Sequence, residues 1–291
     1  MTATKQPAVF IGHGSPMNAL EDNRYTATWR ALGAAIERPR AILCVSAHWY
    51  TNATAVTAMA KPRTIHDFYG FPDELFAVDY PAPGLPEVAE LVAETVKPRW
   101  VGLDADSWGI DHGTWSVLVH MFPDADIPVV QLSINALKDF DYHLDIGTRL
   151  APLREQGVLI VGSGNIVHNL RRITWHQAED GFDWNRRFDE AARTVVAEDP
   201  ADVLRLADHA DFDAAVPTPD HFIPLLHVAG VAAATGETLA EIVQGYAYGS
   251  LSMTCVGVGA DCPEIDAAVA AEGVAGGLPD PDDVPPDQLN L

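Results

Sequence analysis

The sequence holds 11 histidines, and five of them lie near Gly, Ser, Asp or Asn where strands should end or in the loops that follow. These are His13 in Gly12-His13-Gly14-Ser15-Pro16, His48 in Ser46-Ala47-His48-Trp49, and His112 in Asp111-His112-Gly113. The others are His168, shortly after Gly162-Ser163-Gly164-Asn165, and His221 in Pro219-Asp220-His221-Phe222. Imidazole is the commonest protein ligand for first-row divalent metals, and it exchanges protons near neutral pH. Such side chains gathered in one place would hold a divalent cation and leave one or two imidazoles for proton transfer. A single histidine is more often a packed or surface residue, so the reading rests on the shared placement. His66, His120, His143, His176 and His209 lack that context, and His143 and His209 read as helix-surface residues. His227 lies at helical spacing from His221 and fits either core or pocket.

The elements that must gather these residues alternate. Residues 8–11, 41–47, 127–132 and 157–161 read as short apolar strands, with 100–103 a further candidate and 244–258 a final strand or hairpin. Helical spacing covers 18–36 up to the stop at Pro39, a segment opened by Pro86, and residues 114–121. It continues over 138–155, 184–197, 201–207 and 222–234. Short strands alternating with helices predict an α/β fold: one domain with a central, mostly parallel or mixed sheet and helices on both faces. Loops at the carboxyl ends of such strands converge on one crevice, which places a metal site at the strand ends. His13 and His48 each close a strand in this reading, and His112 lies in a loop. Residues 1–261 form the expected catalytic domain. Residues 262–291, rich in Ala, Gly, Pro and Asp, form an expected acidic tail outside it.

Composition narrows the partners. Apolar residues make up 48% and charged residues 20% of the 291 residues, as in a globular protein. The 18 basic and 41 acidic residues give a net charge of −23, which repels phosphate backbones and anionic lipid. Neither nucleic acid nor a membrane is expected as a partner. No apolar run approaches a membrane span, and the N-terminus carries no signal-peptide pattern. Cys44, Cys255 and Cys262 form no CxxC pair, which points to a reducing compartment, the cytoplasm by default. A monomer or small homo-oligomer is expected.

The glycine loops do not carry nucleotide chemistry. Gly12 to Pro16 lacks the Gly-Lys-Ser/Thr of a phosphate loop, and Val167 stands where a dinucleotide fingerprint needs glycine. Ser163 is flanked by glycines but lacks the G-x-S-x-G spacing of a hydrolase elbow. Glycine here serves close backbone approach to the site.

The five histidine segments, together with Tyr248-Gly249-Ser250-Leu251-Ser252-Met253, resemble the class III extradiol ring-cleaving dioxygenases of the LigB-like superfamily. The 4,5-DOPA extradiol dioxygenase branch is the closest in pattern, over residues 7–259. The resemblance implies His13, His48 and His221 as metal ligands and His168 as the acid/base, a residue that could also touch the metal. It implies His112 as a pocket histidine near the substrate oxygens. Better-known members use a glutamate as third ligand. Only Asp220 lies near His221, so three histidines and a set including Asp220 both stay open. The implied cofactor is Fe(II), and imidazole suits Zn(II) equally, so zinc can occupy purified protein. The implied partners are a small catechol, such as DOPA or a related catecholic acid, and O2. Two other readings use the same residues: a zinc hydrolase with metal-bound hydroxide, and a non-catalytic metal-binding protein. Arg63, Arg171 and Arg172 are candidate partners for a substrate carboxylate, and Trp49, Phe68, Tyr69 and Trp108 for the ring.

Overall fold

The computed structural model describes residues 4–260. The proposed tail, 262–291, lies outside the described residues. The strands are β1 (Ala8–Gly12), β2 (Ala41–Thr51), β3 (Ala55–Thr57), β4 (Gly102–Asp104), β5 (Val129–Asn135) and β6 (Val158–Gly164). They end with β7 (Ala240–Val243), β8 (Tyr246–Ala247), β9 (Leu251–Ser252) and β10 (Cys255–Val258). The helices are α1 (Arg24–Ala35), α2 (Asp73–Phe76), α3 (Pro86–Thr95), α4 (His112–Met121), α5 (Phe140–Leu150), α6 (Asp183–Glu198), α7 (Phe212–Ala215) and α8 (Ile223–Thr235).

Eight strands form one sheet in the order β4-β3-β5-β2-β6-β1-β10-β7. The inner four, β5, β2, β6 and β1, run parallel, so their carboxyl ends share one edge. β3, β10 and β7 add antiparallel pairings outside them. The sheet is therefore mixed, as expected, with a parallel centre.

Period-two alternation sends the strand side chains into two cores. Phe10, Leu43, Val45, Val130 and Ile160 pack with α3, α5, α6 and α8 on one face. Val9, Ile11, Ile42, Val129 and Val161 pack with α1 and α4 on the other. Each fully buried Val, Leu or Ile stabilises by roughly 1.5–3 kcal/mol, so covering both faces is what makes the parallel centre stable. None of the described helices is long and apolar enough to cross a membrane.

Several boundaries differ from the sequence reading. The expected helix over 18–36 begins only at Arg24, after a 3-10 turn at Pro16–Ala19. Asn23 stops and restarts the chain by accepting hydrogen bonds from the Tyr25 and Thr26 amides, an N-cap that the apolar spacing did not reveal. β2 runs past His48 to Thr51, so His48 lies inside the strand rather than at its end. The pairing of β2 with β5 shifts register between Val45 and Tyr50, which frees the His48 segment from regular pairing. His112 is the first residue of α4, not a loop residue. Gly162 to Gly164 belong to β6, and 244–258 folds as three short strands.

Candidate metal centre

Five histidines meet at the carboxyl edge of the parallel strands. His13 leaves β1, and its backbone amide donates to Gly164 O on the neighbouring β6 at 3.1 Å. Its Nδ1 lies 2.9 Å from Ser163 Oγ. The Ser163 hydroxyl gives its one proton to Gly113 O, so it accepts from His13 Nδ1–H. That fixes the tautomer: His13 Nε2 carries the lone pair. His48 Nδ1 is 3.7 Å from Asp67 Oδ2, and its Nε2 is 3.2 Å from His13 Nε2.

His221 arrives on the loop before α8. Its Nδ1 donates to Asp220 Oδ2, leaving Nε2 buried and without a hydrogen-bond partner. The loop can approach because Gly164 has no side chain; a Cβ there would lie 2.2 Å from His221 O. One ring nitrogen each from His13, His48 and His221 lies within 4.8 Å of the other two, so the three could hold one metal ion. His168 stacks on His221, with centroids 3.6 Å apart and planes 5° apart.

His112 enters from α4, whose start packs on β2. Gly113 permits this, since a Cβ would meet His48 Cδ2 at 2.6 Å. Asp111 caps α4, accepting from the Thr114 amide, from Ser46 Oγ at 2.7 Å and from Gln131 Nε2 at 2.7 Å. Asp67 Oδ1 accepts from the His112 amide at 3.1 Å and from His112 Nδ1 at 2.9 Å. His112 Nε2 is thus the lone-pair nitrogen, buried and without a hydrogen-bond partner. The His112 and His48 rings lie 3.8 Å apart.

The electrostatics follow from this crowding. Burial, then the charges of neighbouring histidines, holds His13 and His48 far below the usual imidazole range, so both stay neutral. Burial alone would raise the Asp67 and Asp220 carboxyls. His112 beside the first and His221 beside the second override it and hold both below the usual range. Burial, then the Asp67 charge, raises the Asp111 carboxyl.

Two imidazole nitrogens facing each other at 3.2 Å, beside a third buried nitrogen with no hydrogen-bond partner, form a cradle for a cation. Nitrogens bound to one metal at ~2.0–2.1 Å stand roughly 2.9–3.4 Å apart for angles between tetrahedral and square. The residues present therefore fit a divalent metal. Asp220 serves as the hydrogen-bond partner of His221, while a second grouping of His168, Asp220 and His221 also lies within ligand reach.

Not every expectation converges here. His227 is core: it is 1% exposed and packs on His143 at 5.2 Å. His143, expected on a helix surface, is itself 1% exposed, because α8 covers that face of α5. Trp49 and Trp108 stack on each other at 5.6 Å, Phe68 is buried against His112, and Tyr69 is exposed. Asp67 was missed by sequence reasoning. Its only signal was a carboxylate within an aromatic loop, beside His66 and Phe68.

The chain is similar to known proteins along most of its length. The family model of the catalytic LigB subunit of aromatic ring-opening dioxygenase matches residues 7–257. The chain is 47% identical over 263 residues to the 4,5-DOPA dioxygenase extradiol of Escherichia coli, covering 89% of this chain and 97% of that protein. It is 35% identical to the 4,5-DOPA dioxygenase extradiol of Beta vulgaris, covering 84% of this chain and 95% of that protein. The crystal structure of an Escherichia coli protein described as uncharacterized aligns with a TM-score of 0.76 at 43% identity, covering 87% of this chain and all of that one. With the family matched over nearly all the described residues, the chain belongs to the LigB-like extradiol ring-cleaving dioxygenases.

Proposed function

We propose that this enzyme uses Fe(II), held by His13, His48 and His221, to open the ring of a single-ring catechol with O2. DOPA or a related catecholic acid is the first candidate substrate. The observation that carries the reading is the trio of imidazole nitrogens within 4.8 Å, with the His13 and His221 rings oriented by hydrogen bonds on their far sides. When bound, iron supplies open coordination positions for the catechol oxygens and dioxygen, and the redox change that zinc lacks.

The chain's own residues do the rest. Ser163 and Asp220 hold the Nδ1 side of His13 and His221, so that Nε2 is the ligating atom in each, and His48 turns its Nε2 toward His13 Nε2. Burial keeps His13 and His48 neutral, the form a metal needs. His112, with Nδ1–H given to Asp67, presents an acceptor nitrogen. It meets a catechol hydroxyl as a proton acceptor. His168, stacked against His221 on the cavity side, is the second acid/base and returns a proton as the ring opens.

The test is anaerobic reconstitution with Fe(II), followed by oxygen uptake with a panel of catechols. The expected result is one O2 consumed per ring cleaved. Zinc-loaded, iron-free protein should consume none.

A further inference from the structure

His168 forms part of the wall of a cavity of about 190 Å3, shared with Asn169, Leu170, Arg171, Pro217 and Thr218. The space is below the ~300–1,000 Å3 of drug-sized pockets, which suits a small ligand. His168 leads to the metal centre through its stack on His221. Asn169 is held in place by the Ala214 carbonyl, which its Nδ2 meets at 2.8 Å.

Arg171 differs from the other arginines of this acidic chain. Arg187, Arg193 and Arg205 all pair with carboxylates. Arg172 lies over the Trp184 ring at 5.5 Å, and Arg63 donates to Ser107 O at 2.7 Å. Arg171, three residues from His168 in the 3-10 turn Leu170–Arg172, has no such partner among the described residues. In a chain of net charge −23, a guanidinium left unpaired on the cavity beside the metal centre is available for a ligand anion.

We propose that this cavity is a carboxylate subsite: the catechol ring lies against His168, and the carboxylate ending a short side chain pairs with Arg171. A guanidinium matches a carboxylate with two parallel hydrogen bonds, which an ester cannot reproduce. The nature of the ring rests on the proposed ring-cleaving function; the anion recognition does not.

The experiment compares 3,4-dihydroxyphenylpropionate with its methyl ester in wild type, Arg171→Gln and Arg171→Lys. Steady-state rates are read on Fe(II)-loaded enzyme and dissociation constants on redox-inert, zinc-loaded protein by calorimetry. The acid-to-ester ratio of kcat/KM should fall on the order of 10- to 100-fold in Arg171→Gln, through KM, and recover in part in Arg171→Lys. The ratio of dissociation constants should move in parallel. An unchanged ratio in Arg171→Gln, or wild type binding neither probe, overturns the subsite. Turnover with an unchanged ratio leaves ring cleavage standing without the subsite. A shifted binding ratio without turnover leaves the subsite standing without ring cleavage.

Discussion

Asp67 Oδ1 lies 2.9 Å from His112 Nδ1 and also accepts the His112 backbone amide at 3.1 Å. One carboxylate oxygen therefore sets both the position of the first α4 residue and the tautomer of its ring. Asp67→Asn keeps the shape but lets an amide proton point at Nδ1, which favours the tautomer with Nε2–H. Turnover should fall roughly 10- to 100-fold, with kcat affected more than KM and bound metal largely retained. Metal analysis and a kcat/KM pH profile on the same preparation check this. Loss of the metal instead would show that Asp67 acts through His48.

His13 Nε2 and His48 Nε2 lie 3.2 Å apart, close enough to share one cation in the proposed site. His13→Ala and His48→Ala should each lower metal affinity at least ~10-fold, and thermal unfolding should lose its metal-dependent increase. The readout is a titration with Fe(II) or Zn(II), followed by calorimetry and independent of catalysis. Undiminished affinity in either variant would remove that residue from the ligand set.

His168 packs on His221, a ligand in the proposed site, and also lines the cavity. His168→Ala should retain most of the metal and lose turnover on the order of 10²-fold or more. Full metal loss in this variant would make His168 a ligand.

How much of this was readable beforehand depends on how local each signal is. Five histidines could be singled out because each stands near Gly, Ser, Asp or Asn at a predicted strand end or in a loop, a signal that is local in sequence. The parallel centre followed from apolar runs in β2, β5 and β6. Asp67 was not readable, because its partner His112 lies 45 residues away and nothing local marks the pair. His143 looked like a surface residue because its own helix has a polar face. Its burial comes from α8, where Gly230 lets the two helices approach closely; a Cβ at that position would lie only 2.3 Å from Leu144 O. His48 was placed at a strand end because a register shift inside β2 leaves no trace in hydrophobic pattern.

The His143–His227 pair also sets an acid limit on stability. Burial lowers His143 to about 4; burial, then the His143 charge, lowers His227 to about 3. Unfolded, each would titrate near ~6.5. The unfolded chain therefore binds more protons below that value. The stability tied to the neutral pair is complete above ~6.5 and is lost as pH falls toward 4 and then 3, by up to ~1.4 kcal/mol per pH unit for each histidine. Denaturant unfolding at about pH 7, 5.5 and 4.5 should show a shallower decline in a His143→Gln/His227→Gln variant than in wild type. Parallel declines would refute the assignment.

The central claim is that this site inserts both atoms of O2 into a catechol ring. It is tested most directly by mass spectrometry of the product formed from 18O2 by Fe(II)-loaded protein, analysed before exchange with water. Two labelled oxygens are expected in a ring-opened product that retains every carbon of the catechol. Product carrying oxygen from water alone, formed equally well with zinc, would contradict it and assign the histidine centre to hydrolysis.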